Sequence, residues 1–246
     1  MNLHVIASGS KGNAAIVYDE KTHILIDIGI SKQELINGLK EIKLSLKDID
    51  FVLITHDHSD HIKNVHIFNM NKCYAPLGVL PLKNSNILIP FHEYNFNSIT
   101  VKVIKSSHDA TNSCGFIFKN NNEELVYLTD TGYIPSETLK IIKNKDYYFI
   151  ESNHDVGMLL ESSRPNLLKR RILSFKGHLS NEQCAYYLVE LVGEKTKKVL
   201  LAHISEECNS FEKIFETFED VFNEENFKYK QIEFFVTFQH KSVDLW

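Results

Sequence analysis

"THDHSDH", residues 55–61, places His56, His58, Asp60 and His61 within six residues, directly after the apolar run that begins at Phe51. Imidazoles this close repel one another when protonated and serve no packing purpose, so a solvated polar turn is a poor account of them. Imidazole and carboxylate are the donors that bind a borderline divalent metal. Side chains at i and i+2 diverge from one loop around a first ion, while Asp60 and His61 turn toward a second as a helix begins. The preceding "DFVLITH" (50–56) suits a buried strand. The loop then lies at the C-terminal end of a strand, where open α/β proteins place their sites.

One loop does not close two metal sites. Three further apolar runs end on a single donor: "IKSSHDA" (104–110) at His108, "VYLTDTG" (126–132) at Asp130 and "VLLAHIS" (199–205) at His203. Alone, each reads as a turn or capping residue. Joined to the histidine loop they complete seven ligands, His56, His58, Asp60, His61, His108, Asp130 and His203, enough for a pair of divalent ions.

The rest of the chain is of ordinary globular make-up, with 43% hydrophobic and 24% charged residues in 246, which excludes disordered and fibrous classes. A net charge of −5 excludes a generally basic surface, so any contact with a polyanion is local. Cys73, Cys114, Cys184 and Cys208 form no C-x-x-C pair. Neither a signal peptide nor a membrane-length apolar run is evident, and the expectation is a soluble cytoplasmic protein without a membrane partner. With no repeat and no linker, residues 1–246 read as one α/β domain. "NLHVIAS" (2–8), "AAIVYD" (14–19), "HILIDIG" (23–29), "NILIP" (86–90), "ITVKVIKSSH" (99–108), "DYYFIES" (146–152), "KKVLLAH" (197–203) and "IEFFVTF" (232–238) read as strands. "CGFIFKNNNEELVYLTD" (114–130) reads as a hairpin turning at "KNNNEE". "SKQELINGLKEI" (31–42) carries a capping box, Ser31 with Glu34, and helical spacing of Leu35, Ile36, Leu39 and Ile42. The aromatics of "FEKIFETFEDVF" (211–222) read as the core face of a helix.

The histidine loop and its downstream His, Asp and His resemble the metallo-β-lactamase superfamily. "ASGSKGNA" (7–14), "ILIDIGIS" (24–31), "SSHDA" (106–110), "LTDTGYIP" (128–135), "ESNHD" (151–155), "RRILSFKGHLSNEQCA" (170–185) and "LAHISEECN" (201–209) are similar, in order, to its YycJ/WalJ subfamily. The resemblance implies an αββα sandwich with a dinuclear metal site at the sheet edges. It implies that His56, His58 and His108 hold one ion, that Asp60, His61 and His203 hold the other, and that Asp130 bridges them. Asp27 would brace the histidine loop by hydrogen bonds. Zinc and manganese both suit a shell without thiolate. His58, where redox di-iron relatives carry Glu, argues against that branch, and the chain has no room for the inserted arm or domain of tRNA-processing and ribonuclease J-like members. The implied activity is a metal-dependent phosphodiesterase on nucleic acid, a 5′-to-3′ DNA exonuclease, with a metal-bridging hydroxide as nucleophile aimed by Asp60. The alternatives are a small cyclic phosphodiesterase of the PhnP type, a thioester or lactone hydrolase on the same metals, and a non-catalytic nucleic-acid-binding protein.

The metals leave one task open, a proton for the departing alkoxide, and "FKGHLSNEQ" (175–183) offers a candidate. Ser180 and Gln183 form a second capping box, which leaves His178 unexplained. With His203 among the ligands, His178 reads as general acid or phosphate contact; a purely structural role is the alternative. Arg164, Lys169, Arg170, Arg171 and Lys176 precede it, the densest basic stretch in an acidic chain. Arg170, Arg171, Lys176 and Ser180 are therefore the candidate substrate contacts, against the ordinary reading of a solvated helix face. The turn "ASGSKGN" adds possible amide donors for a phosphate. Glu151 and His154 of "ESNHD" lie at a strand end as candidates to support the metal ligands or His178, neither being needed as a ligand, and His4, His23, His66, His92 and His240 have no such context.

Overall fold

The computed structural model describes residues 1–121, 123–228 and 231–245. In chain order its first strands are β1 (Asn2–Ala7), β2 (Ala14–Tyr18), β3 (His23–Ile26), β4 (Phe51–Leu53), β5 (Cys73–Pro76), β6 (Ile87–Leu88) and β7 (Glu93–Phe96). They are followed by β8 (Ile99–Lys105), β9 (Cys114–Asn120), β10 (Glu123–Leu128), β11 (Tyr147–Glu151), β12 (Lys198–Ala202), β13 (Glu233–Val236) and β14 (Val243–Asp244). The helices are α1 (Lys32–Glu41), α2 (Ser59–Ile62), α3 (Ser136–Ile142), α4 (Val156–Glu161), α5 (Asn166–Ile172), α6 (Asn181–Leu191) and α7 (Phe211–Glu224).

Period-two burial decides how these elements stack. Along β1, β2 and β3, Leu3, Val5, Ala15, Val17, Ile24 and Ile26 point one way and meet Val101, Val103, Phe116, Phe118, Leu125 and Phe149 of the other sheet. The intervening Ile16 and Leu25 point the opposite way, under Leu35 and Leu39 of α1. On the second sheet Val126, Tyr148, Val199 and Leu201 face outward beneath Cys184, Leu188 and Leu191 of α6 and Ile214 and Phe218 of α7. Helix, sheet, sheet, helix is the αββα sandwich that the resemblance implies. Each fully buried aliphatic contributes about 1.5–3 kcal/mol of transfer free energy against chain entropy.

The sheets run β14-β1-β2-β3-β4-β5-β6 and β13-β12-β11-β10-β9-β8-β7. Within the first, β3 and β4 are parallel, and within the second, β10, β11 and β12 are parallel. The C-terminal ends of these five strands open onto the two halves of one site. Both capping boxes form, Ser31 with Glu34 and Ser180 with Gln183. The expected 50–56 strand is shorter, ending at Leu53, so that residues 54–58 are free to fold as the histidine loop. β5, β7 and β14 have no counterpart in the sequence reading; each has four residues or fewer and is defined by the neighbour it pairs with. Asn122, within the expected hairpin turn, lies outside the described residues. Among the described residues no helix is long and apolar enough to cross a membrane.

Candidate metal centre

The histidine loop is held from beneath by one carboxylate. Asp27, fully buried, accepts the Thr55 N–H at Oδ1 and the Thr55 hydroxyl at Oδ2, both at 2.9 Å, and His61 Nδ1–H at 2.8 Å. Thr55 Oγ1 in turn lies 3.0 Å from His56 Nδ1. Asn13 closes the loop from the side: its N–H donates to the Asp60 carbonyl at 2.8 Å, and its Nδ2 lies 3.0 Å from His61 Nε2. Gly29 makes this approach possible, because a Cβ there would overlap the Asp60 carbonyl.

Two ligand-sized clusters share the histidine loop. His56, His58 and His108 bring a ring nitrogen each within 4.8 Å of one another, and so do the donor atoms of His56, His61 and Asp130. His108 is oriented by Nδ1–H donating to the Gly177 carbonyl at 3.0 Å, which leaves Nε2 facing His58 at 3.2 Å. The buried Nε2 of His56 has no hydrogen-bond partner among the described residues. Burial and the neighbouring His61 push the His56 imidazole well below its ordinary pKa, and burial lowers that of His108. Burial works against a charge on His61 too, but the Asp27 and Asp130 carboxylates override it and raise its pKa well above 6.5.

A third cluster unites Asp130, Glu151, His178 and His203. Glu151, fully buried, accepts His178 Nδ1–H at 2.7 Å and His203 Nδ1–H at 2.8 Å on Oε1. Its Oε2 accepts the Thr131 and Leu179 amides at 2.9 and 3.3 Å. Four donors fill the lone pairs of a carboxylate, so Glu151 positions its neighbours rather than offering an oxygen of its own. Burial notwithstanding, His178 and His203 pull its pKa down to about 2. Fixing Nδ1 leaves Nε2 as the free nitrogen of both imidazoles, and on His203 that atom is buried without a partner among the described residues. Burial is again outweighed at His203, which Asp130 and Glu151 raise to about 9. An imidazole held at Nδ1 with a buried, unpartnered Nε2, as at His56 beside Thr55 and at His203 on Glu151, fits a divalent metal shell.

Asp130 stands between the clusters. Its Oδ2 lies 3.4 Å from His61 Nε2, and its Oδ1 3.1 Å from His203 Nδ1 and 3.9 Å from His108 Nε2. Burial opposes its ionisation, yet His203 and His61 hold its pKa well below the carboxylate range. Asp60 is peripheral: its Oδ2 is 3.6 Å from His61 Nε2, and it belongs to none of the three clusters. His203 is grouped with Glu151 and His178 rather than with Asp60 and His61. His178 stands between the two halves, its ring centroid 5.0 Å from those of both His108 and His203, and its side chain is 14% exposed. Asp27, Asp130 and His203 all have positive φ, 56°, 52° and 53°. Each follows a strand within two residues, and the left-handed turn carries its side chain back into the site at a conformational cost of about 1–2 kcal/mol.

The basic stretch is more committed than its sequence suggests. Arg171 forms a two-pronged pair with Asp109, Nε to Oδ2 and Nη2 to Oδ1. Lys169 Nζ donates to the Leu160 carbonyl, and Arg164 pairs with Glu207. Arg170 and Lys176 are exposed and form no ion pair among the described residues. Ser180 is buried, and its Oγ accepts the Gln183 N–H as the cap of α6. The glycine-rich turn does not present a row of free amides: the N–H groups of Gly9, Lys11, Gly12 and Asn13 are all bonded within the protein. Its part is to seat Asn13 against the histidine loop and the Ser8 hydroxyl, which accepts the His203 N–H at 2.9 Å. Asn13, Ser8 and Asp109 are the contributors that sequence reasoning missed. For Asp109 the one available signal was its place beside His108.

A beta-lactamase superfamily domain model matches residues 22–204. The chain is 34% identical over 224 residues to an exodeoxyribonuclease YycJ of Bacillus anthracis, covering 85% of each chain. It is 36% identical over 221 residues to an exodeoxyribonuclease WalJ of Streptococcus pneumoniae, covering 83% of this chain and 82% of that one. Its fold is similar to the crystal structure of the metallo-beta-lactamase fold protein YhfI from Bacillus subtilis, with a TM-score of 0.71 at 14% identity over 99% of this chain and 100% of that one.

Proposed function

The chain belongs to the beta-lactamase superfamily and is a hydrolase of that fold, and from this premise we propose that it is a cytoplasmic, metal-dependent phosphodiesterase that shortens DNA from its ends, in the 5′-to-3′ direction. The observation that carries this reading is the cluster of buried imidazoles around Asp130, in which the Nε2 atoms of His56 and His203 are shut away from water without a hydrogen-bond partner among the described residues. The exodeoxyribonuclease names of relatives at 34% and 36% identity support the choice of substrate. In this reading residues 1–246 act as one domain.

His56, His58 and His108 would hold one divalent ion, and Asp60, His61 and His203 the other, with Asp130 between them. Zinc or manganese, when bound there, supplies Lewis acidity toward a phosphoryl oxygen and a water acidified toward neutral pH. Asp60 accepts a hydrogen bond from the attacking water and aims it. His178 meets the phosphate with both ring nitrogens protonated: Nδ1–H stays on Glu151, and Nε2–H gives its proton to the departing sugar alkoxide, leaving a neutral imidazole. Lys176 and Arg170 neutralise phosphates along the strand. Arg171, already matched by Asp109, shapes the loop that bears His178.

The test is direct. Purified protein reconstituted with Mn²⁺ or Zn²⁺ is incubated with end-labelled single- and double-stranded DNA, with a cyclic nucleotide and with bis(p-nitrophenyl) phosphate. Stepwise release of nucleotides from the 5′ end is the expected result. Cleavage of the small diesters with every DNA left intact would sink the nuclease reading.

A further inference from the structure

A groove of about 700 Å³ adjoins the metal centre, within the size range of small-molecule sites. His108 lines it, so it is continuous with the imidazole cluster. Its wall is apolar, with Leu77 and Ile89 exposed at 63% and 48%. With Ile87 and Pro90 in the same lining they make an apolar wall beside a polar site, the kind of patch that marks a ligand groove. Ser106 is among the lining residues, and its hydroxyl lies just beneath the surface with no hydrogen-bond partner among the described residues. Lys176, free of any ion pair among the described residues, adds a cation, and Lys105 lies 3.9 Å from Glu137. A flat apolar body, one hydrogen-bonding edge and a neighbouring anion are the complement of this lining, and a nucleotide has all three.

Resting on the nuclease reading, we propose that this groove holds the unpaired terminal nucleoside of the DNA strand, its base against Leu77 and Ile89, its polar edge on Ser106 and its phosphate on Lys176. In a duplex the Watson–Crick edge of the last base is taken by its partner, so the terminal pair must open, at a cost of a few kcal/mol, before its base enters the groove.

The experiment compares single-stranded oligo-dT with the same strand bearing abasic sugars at both ends. The metal-loaded enzyme should remove the first nucleotide from the normal strand about tenfold faster in kcat/KM, the scale of burying about 50–60 Å² of apolar base surface. Leu77→Asp and Ile89→Asp, both at exposed positions, should abolish that preference. A wild-type enzyme indifferent to the terminal base, or variants that keep the preference, would overturn the proposal. A binding arm separates the two readings: dTMP and inorganic phosphate are titrated into Zn²⁺-loaded protein with labelled Leu and Ile methyls. The Leu77 and Ile89 methyl signals should move with dTMP and not with phosphate. If they move while no DNA is cut, the groove stands and the nuclease reading falls. If DNA is cut and they stay still, the groove assignment falls alone.

Discussion

Asp27 and Glu151 are counterparts on the two sheets: both are fully buried, both sit at the end of a parallel strand, and both accept Nδ1 protons from histidines. They differ in what they gather. Asp27 takes its donors from Thr55 and His61, seven residues of continuous chain. Glu151 takes its donors from Thr131, from His178 and Leu179, and from His203, three segments that only the finished sheet brings together. One half of the centre is thus a local motif with a brace, and the other is an assembly around a single charge. A change in the first half should loosen one loop, whereas a change in the second should uncouple acid, ligand and strand ends at once.

The largest effect is expected at the far side of the assembled half. His178→Ala should keep its metal and lose about 10²–10⁴-fold in turnover on DNA. Loss on bis(p-nitrophenyl) phosphate, whose leaving group needs no proton, should be much smaller, and equal losses would argue against an acid. His203→Ala, read by metal analysis, should instead release an ion from one site. Next, Glu151→Gln and Asp27→Asn test the comparison itself. Supporting partners of metal ligands carry about 10–100-fold; Glu151→Gln should fall at the upper end in kcat/KM and Asp27→Asn at the lower, and the distinction collapses if the two lose alike.

A third test concerns stability. His154 lies on the Glu151 side, buried, with both ring nitrogens unpartnered among the described residues, and burial lowers its pKa to about 4. Between that value and the ordinary 6.5 the unfolded chain binds a proton that the folded chain does not. Its contribution is therefore fully present above pH 6.5 and is lost as the pH falls toward 4, by roughly 3 kcal/mol at most. Urea unfolding of metal-free His154→Gln at pH 7.5 and 5 should show a correspondingly smaller acid destabilisation than wild type. The smallest effect separates the basic residues. Lys176→Ala should reduce the slope of log affinity for single-stranded DNA against log salt by about 0.7. Arg171→Ala, whose charge Asp109 already matches, should leave that slope unchanged.

The same contrast explains what the sequence made legible. The histidine loop and both capping boxes are readable because their partners lie three to six residues apart, a distance at which spacing is geometry. The strands of the sandwich are readable from alternation, and the αββα arrangement followed from the resemblance. Glu151 could be named as a candidate support of His178 or the ligands but not as the hub that holds His178 and His203 together, since its partners lie 20 to 52 residues away. Arg171 looked available because Asp109, 62 residues earlier in the chain, does not announce itself. Ser180 carried two readings, cap and substrate contact, and the structure places its hydroxyl on the Gln183 amide. The short edge strands carry too few residues for any pattern.

The left-handed backbone at Asp27, Asp130 and His203 bears on anyone who would move this centre to another scaffold. The portable unit is a set of strand exits with the chain turned against its own preference, more than it is a string of histidines. A host whose strands leave the sheet in extended conformation would aim the same side chains outward, and grafting "THDHSDH" alone would transplant the donors without the directions.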